Sequence, residues 1–538
     1  MKLTKYIAIF AASAAILCTG CNDLEQLPVN KYTDENFWTP ERAEYLVNKA
    51  YSQMYDAGKM LRDEALSDNV SDTRSGDMQT IRSGTANPAI GRFSDEWKDI
   101  YAGIKTCHMF LDNVEPIDYK DGRKAHLIAE VRFIRAYLFF RLTNFYGDVP
   151  FFTQDITQEE ANIISRTPRA EIIAFIHQEI SEIMPHLRSR NELAAEDNGR
   201  ITKAAAAMLD ARAYLYDGQW SNVESICNNI MNGTYGTYSL FPSYAGLFET
   251  ENEYNQEVIL DRGYLEKVIT WEEGQQDMIP PSIGGRTPNR LPIQSLIDNY
   301  LMLSGYTINE EGTDFDPEHP YSNRDPRLTA TIIYDGYKWN SQEYWDGFFD
   351  VETIAFKGGY VEQSGETFNG SYDPIEGGNN YTITGYGVRK WYSPQAVLDW
   401  NSGLNIIMMR YADVLLMYAE AMFEQGKMSE EVWNKTIRPI RERAGFTTDK
   451  ALKYLPTGVD MRQIIRNERR TELAVEGLRY YDIIRWKAGS EYLNGDIKGA
   501  GFTGYSYRYQ FSENRDYLWP VPQSQIDLNS NLGQNTGY

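Results

Sequence analysis

Histidine is scarce in this chain: five among 538 residues, at His108, His126, His177, His186 and His319. None belongs to an HExxH pair, and the GxSxG and GxxxxGK patterns are absent. The common signatures of zinc proteases, α/β-hydrolases and P-loop enzymes are therefore missing. Cysteine is scarcer still, with four residues, too few for a disulfide framework in a chain of this length. Positive charge is also in short supply. Against 76 Asp and Glu stand 53 Lys and Arg, a net charge of −23. Such a balance argues against a nucleic-acid partner, which requires clustered basic residues, and against electrostatic docking on anionic lipid. Beyond the first twenty residues no run of 18 or more apolar residues occurs, so no later segment is long enough to span a bilayer.

Aromatic residues, by contrast, are plentiful: 38 Tyr, 22 Phe and 11 Trp, or 13% of the chain. Tyr and Trp join a flat apolar body to a polar handle and suit half-wet surfaces. The stretch YDGYKWNSQEYWDGFF, residues 334–349, is the densest case, and neither a period of 2 nor of 3.6 organises its rings.

The N-terminus reads as a leader. Residues 1–20 carry Lys2 and Lys5, an apolar run from Ile7 to Leu17, then small residues before Cys21. The pattern is that of a secretory signal peptide. The Thr19–Gly20 pair before Cys21 resembles a bacterial lipoprotein cleavage site, although Cys18 stands where Leu is usual, and ordinary signal-peptidase cleavage is the alternative. Cys21 would then carry lipid. Cys107 and Cys227 lie in helix-like stretches and read as buried free thiols.

Helical patterns dominate both ends. They predict helices over 93–114, over 129–150 (apolar almost all round, stopped by Gly147) and over 166–187, with Thr167 as N-cap before Pro168. Helix–turn–helix pairs are expected over 201–231, turning at Gly218, and over 409–445, turning at Gly426. Trp97 is assigned to the core by its helical spacing. Residues from about 235 to 405 differ: Gly, Asn, Pro and Tyr are frequent, which predicts long loops and short strands. Long loops on a rigid helical scaffold are where binding sites tend to sit.

Catalytic chemistry has little positive support. Asp314 and Asp316 form a short acidic run without the central Gly and closing Glu of an EF-hand loop, so calcium there is a weak suggestion and no cofactor is expected. Carboxylates abound, but a glycosidase pair is defined by spatial separation, which one sequence does not give. In ERRTELAVEGLRYYDIIRWK, 468–487, the charges at Glu468, Glu472, Glu476, Arg479 and Asp482 recur every three or four residues. They read as ion pairs along one packed helix rather than as an active site.

Several segments together carry a family resemblance. AEVRFIRAYLFFRLTNFYGDVPF, GRITKAAAAMLDARAYLY, IIMMRYADVLLMYAEA, IRPIRERAGF, RNERRTELAVEGLRYYDIIRWK and the closing YLWPVPQSQIDLNSNLGQNTGY occur in the order found in the SusD/RagB family of outer-membrane nutrient-binding lipoproteins, which the chain resembles along essentially its whole length. The resemblance implies one compact, mostly α domain with tetratricopeptide-like helix pairs. Its parts would be a leader over 1–20, a helical half over 21–235, a loop-rich excursion with short strands over 236–405, and a C-terminal helical part over 406–538. It implies a lipid anchor on Cys21 at the outer membrane, facing outward, with Asp23 and Glu25 resembling surface-export signals. It also implies a SusC-like TonB-dependent transporter as partner, a glycan ligand or, in the RagB branch, a peptide, and no catalysis.

A sugar ring has apolar C–H faces and a hydroxyl rim, so a binding surface needs flat rings beside polar groups. The candidates are Tyr337, Trp339, Tyr344 and Trp345, with Asp335, Asn340 and Asp346 between them. Trp271 is a second element, and Asp68, Asn69, Asp72 and Arg74 of the segment 66–82 would supply the rim. Phe348 and Phe349 are assigned to packing. Three readings follow: glycan capture, peptide capture on the same architecture, and a glycoside hydrolase on a helical scaffold.

Overall fold

The computed structural model describes residues 37–538 apart from 121, 273–276, 340–351, 357–359, 362–366, 369–372, 374, 376–380, 394–400 and 456. Cys21, Tyr344 and Trp345 lie outside the described residues.

The principal helices follow the sequence closely. They are α1 (Pro40–Met54), α2 (Ala57–Glu64), α3 (Gly91–Asn113), α4 (Arg123–Tyr146), α5 (Arg169–Ile183), α6 (Lys203–Tyr216), α7 (Trp220–Met231), α8 (Gln294–Asn299), α9 (Tyr411–Glu424), α10 (Ile437–Ala444), α11 (Met461–Glu472) and α12 (Arg479–Arg485). Each packs on a neighbour in succession: α3 on α1 and α4, α4 on α5, α5 on α6, α6 on α7, α7 on α9, and α9 on α11. The pairs α6–α7 and α9–α10 turn where glycine permits a left-handed backbone, at Gly218 (φ 67°) and Gly426 (φ 69°). Four consecutive buried alanines, Ala204 to Ala207, let α6 approach its neighbours closely.

Helix α4 is buried on nearly every side, as its all-round apolar pattern requires. Its charged exceptions are paired: Arg141 with Asp63 (2.6 Å) and Glu96 (2.7 Å), Arg135 with Glu179 (2.6 Å) and Glu130 with Arg200 (2.6 Å). Helix α5 starts one residue later than expected. Thr167 does not cap it, because Arg166–Thr167 pairs as a short strand with Val149–Pro150 and Pro168 becomes the N-cap. Trp97, Cys107 and Cys227 are buried, both thiols free, and burial pushes the Cys107 thiol up to about 12.

Strands are short and all described sheets are two-stranded. Two matter for the site: β1 (Val70–Asp72) pairs antiparallel with β3 (Arg290–Pro292), and β2 (Val258–Arg262) with β4 (Ile406–Arg410).

The 468–487 segment is two helices, α11 and α12, not one. Residues 473–478 break the run, with Val475 at φ 61° and Gly477 at φ 74°. A β-branched residue in that region is strained, and two distant segments hold it there. Glu64 of α2 accepts the N–H groups of Val475 (3.1 Å) and Gly477 (2.9 Å). From the loop region, Trp391 donates its indole N–H to the Val475 carbonyl (2.8 Å), and Lys390 donates to the Ala474 carbonyl (2.9 Å) and to Glu476 (2.7 Å). The expected ion pairs are present and buried. Arg410 reaches Glu257, Glu472 and Glu476 at 2.6–2.8 Å, and Arg327 reaches Glu468 (2.7 Å) and Glu472 (2.9 Å). Burial alone would raise the Glu472 carboxyl, yet the guanidiniums of Arg443, Arg410 and Arg327 hold it well below the usual carboxylate range.

A candidate ligand face

The segment after β1 is a rigid platform. Asp72 Oδ1 accepts the backbone N–H groups of Arg74 (3.2 Å) and Ser75 (2.9 Å), closing a tight turn. Thr73 is clipped to the Asn289 carbonyl by its N–H (2.8 Å) and its hydroxyl (3.2 Å). Below it, buried Arg82 donates to the carbonyls of Ser67 (2.9 Å) and Val70 (2.8 Å) and lies 3.8 Å from the Tyr509 ring centroid; burial brings its pKa down to about 9. Tyr505 and Tyr507 brace the same segment through Ser71 (3.0 Å) and the Gln79 carbonyl (3.0 Å).

On this platform Arg74 is exposed, with its guanidinium carbon 5.7 Å from the centroid of the half-buried Tyr381 ring. Beside it Arg290 joins Asp277 (2.7 Å) and Asp72 (3.6 Å), and Thr287 donates to Asp277 (3.3 Å). The result is a shallow face with one flat ring and a fixed set of charged and hydroxyl groups.

The other sequence candidates are placed differently. Asp68 and Asn69 face inward. Asp68 pairs with Arg479 (2.8 Å) and Arg470 (3.0 Å), and Asn69 bonds Glu64 and Arg470 (both 2.7 Å). Burial would raise the Asp68 carboxyl, but Arg470 and Arg479 hold it below the ordinary value. Such groups join elements rather than meet a ligand's hydroxyls. Asp72 is buried too and acts by shaping the turn that presents Arg74.

The rings correct the expectation further. Trp271, 4% exposed, donates its indole N–H to the Leu404 carbonyl (2.8 Å), and its backbone bridges to Ser402. Tyr337 and Trp339, 8% and 4% exposed, build a separate small core with Ile279, Ile283, Ile333, Ile354, Phe356 and Tyr392. The Tyr337 hydroxyl donates to the Thr329 carbonyl (3.1 Å), and Trp339 meets Tyr392 edge to face at 5.0 Å. A loop-rich segment with little regular hydrogen bonding needs its own hydrophobic anchor, and large rings supply the most area per residue. Asp335 serves the same end by accepting the Phe356 N–H (2.9 Å).

Sequence reasoning missed Tyr381, Asp277 and Arg290. Tyr381 sits in the turn-rich run GGNNYTITGYG, where nothing local distinguishes it from neighbouring tyrosines. The suggested calcium ligands are engaged elsewhere, Asp314 with Ser304 and Asp316 with His319 (2.7 Å). Among the described residues no group of three or more His, Cys, Asp or Glu is gathered to hold a metal ion, and no helix is long and apolar enough to cross a membrane.

Comparison with known proteins agrees with this architecture. A solved SusD-like carbohydrate-binding protein from Bacteroides fragilis superposes with a TM-score of 0.78 at 26% identity, covering 92% of this chain and 99% of that one. SusD-like protein P2 of Formosa agariphila is 25% identical over 96% of this chain and 97% of its own length. The starch-binding protein SusD of Bacteroides thetaiotaomicron is 24% identical over 82% of this chain and 78% of its own. A family described as starch-binding and associating with outer membrane matches residues 24–215. The SusD family itself matches residues 216–538, more than half of the chain, and to that family this protein belongs.

Proposed function

We propose that this protein captures oligo- or polysaccharide at the cell surface and passes it to a SusC-like TonB-dependent transporter. It acts without a cofactor and without cleaving its ligand, held at the outer membrane by lipid on Cys21. The observation that carries the reading is the near-complete correspondence to a carbohydrate-binding relative of the same fold. The face of Arg74, Tyr381, Arg290 and Asp277 has the chemistry the task needs. Tyr381 offers a flat surface for the C–H face of a pyranose, while Arg74 and its neighbours meet the hydroxyl rim. Water leaves the ring face, and the fixed donors set orientation. The strongest carboxylate–cation clusters of the described residues lie buried in ion pairs, which fits binding better than hydrolysis.

Titration calorimetry of the mature chain, residues 21–538, against a panel of polysaccharides and peptides tests this reading. Arg74→Ala/Tyr381→Ala is expected to weaken binding to one glycan class roughly 10- to 100-fold with an unchanged melting temperature. Binding of peptides alone would transfer the protein to the peptide-capture reading. Reducing ends released from a bound polysaccharide would establish a hydrolase instead.

Trp271→Phe separates packing from binding. The substitution keeps an aromatic ring but removes the donor to the Leu404 carbonyl, so it is expected to cost about 1–2 kcal/mol of stability and leave glycan affinity unchanged. Thermal melts and calorimetry on the same sample check both halves.

A further inference from the structure

An open pocket lies among parts of the fold that the face does not use. Between the C-terminal end of α8, the loop 301–310, the stretches 450–455 and 458–460 and one side of α11 is a cavity of about 400 Å³. Two further cavities in the described residues measure about 40 Å³ each, a size for water rather than for a ligand. The larger one falls within the range of about 300–1,000 Å³ typical of small-molecule pockets. It shares no lining residue with the Arg74 face.

The walls are fixed before any ligand arrives. Gly305, at φ 96°, presses so closely on α-helical Ala451 that a Cβ would stand 2.7 Å from its backbone nitrogen. Thr448 donates to the Ser304 carbonyl (2.8 Å), and Lys450 pairs with Glu310 (2.6 Å), so the loop is clamped to the segment opposite. Leu303 and Met302 are tied to 323 and 324 through backbone contacts. The floor is the buried set Arg327, Glu468 and Arg441, joined at 2.7 Å on both sides of the carboxylate, with Trp433 beside it.

The lining also defines the ligand. Its cations are already matched: Arg327 and Arg441 by Glu468, Lys450 by Glu310, and Lys453 by Asp449 (2.6 Å). A charged ligand would have to displace one of these pairs. What remains is the Asp460 carboxylate, which accepts the Gln463 backbone N–H (3.1 Å), and the uncharged hydrogen-bonding groups Asn299, Thr307, Asn309, Gln463, Asn467 and Thr471 beside apolar Leu301, Met461 and Ile464. Asn467 Oδ1 accepts from Gln463 (2.7 Å) and its carbonyl accepts from Asn299 (3.3 Å), while among the described residues no protein group is bonded to its Nδ2 or to the Asn309 amide. Amides and hydroxyls next to apolar side chains, with the cations already paired, match a neutral polyhydroxylated molecule of one or two rings.

We propose that this cavity is a second binding site, for a neutral mono- or disaccharide, separate from the exposed face. The ligand class rests on the carbohydrate reading above, whereas the cavity and its uncharged lining do not.

Ligand-observed NMR of the mature chain with D-glucose, D-galactose, cellobiose and laminaribiose is the test. It is run on wild type, on Arg74→Ala/Tyr381→Ala, on Asn467→Trp, which fills the cavity, and on Thr307→Trp, which obstructs its mouth from an exposed position and cannot disturb the core. At least one sugar is expected to bind the Arg74→Ala/Tyr381→Ala protein as well as wild type. Its affinity should fall at least tenfold in Thr307→Trp and, where the melting temperature is unchanged, in Asn467→Trp. Polysaccharide binding should survive in both cavity variants. Four sugars that fail to bind, or that bind equally well to Thr307→Trp, would overturn the second site and leave the exposed face untouched. Loss of sugar binding in Arg74→Ala/Tyr381→Ala would overturn it as well, by returning every sugar to the face.

Discussion

Replacing Arg410 by Met is expected to destabilise the folded chain by about 3–5 kcal/mol, because it leaves buried carboxylates without their shared cation. Arg410 is 1% exposed and contacts Glu257, Glu472 and Glu476 together, with a further bond to the Glu472 carbonyl (2.7 Å). Arg443 and Lys390 compensate only part of that negative charge, through Glu257 and Glu472 for the former and Glu476 for the latter. Lys435→Met is the control, since its partner Glu431 is 76% exposed at the side chain and water screens the pair. That variant should shift stability by less than about 0.5 kcal/mol. Chemical denaturation followed by circular dichroism compares the two, and equal effects would mean that the buried network is not what holds the C-terminal helices. The same network sets an acid limit. Glu472 has a depressed pKa, so its contribution is complete above its unfolded value of 4.5 and is lost as pH falls below it.

Asp261→Asn should act in the opposite sense and in a different pH window. Asp261 in β2 is 4% exposed, its Oδ2 accepts the Asn405 amide (3.0 Å), and burial pushes its pKa up from 3.8 to about 7. Between those values the unfolded chain has lost this proton while the folded chain keeps it. Stability therefore falls as pH rises from about 4 to 7 and is flat beyond. The neutral amide removes that cost. At pH 8 the variant is expected to gain up to about 4 kcal/mol, from roughly three pKa units at ~1.4 kcal/mol each, and at pH 4 almost nothing. Buried Asp373, raised to about 6, shifts wild type and variant alike, so the difference between them isolates Asp261. A gain of equal size at both pH values would show that shape, not charge, was responsible.

Much of the fold was legible because its signals are local. The all-round apolar run of α4 and the glycines at 218 and 426 announce burial and turns from the residues alone. The break between α11 and α12 was not legible. Its cause is Glu64, Lys390 and Trp391, which lie more than 80 residues away in sequence. The same limit governs the candidate face. A tryptophan in a loop reads identically whether it meets a sugar or a neighbouring isoleucine, and Trp339 meets Ile, Phe and Tyr side chains of its own excursion. Acidic residues misled for a related reason: Asp68 and Asn69 look like surface chemistry until Arg470 and Arg479 arrive from the other end of the chain. Arg74 was recognisable, but its ring partner Tyr381 becomes evident only when 300 residues fold back.

The joint at Val475 has a consequence for how such a protein can change over time. Glu64, Lys390, Trp391 and Glu476 hold one another's geometry, so a substitution at any of them asks for a matching one at the others, and the quartet should drift slowly and together. Arg74 and Tyr381 lie outside that quartet. They sit where the scaffold ends, and new residues can be tried there without reopening the joint. A lineage with this division of labour can vary that surface while its frame stays the same.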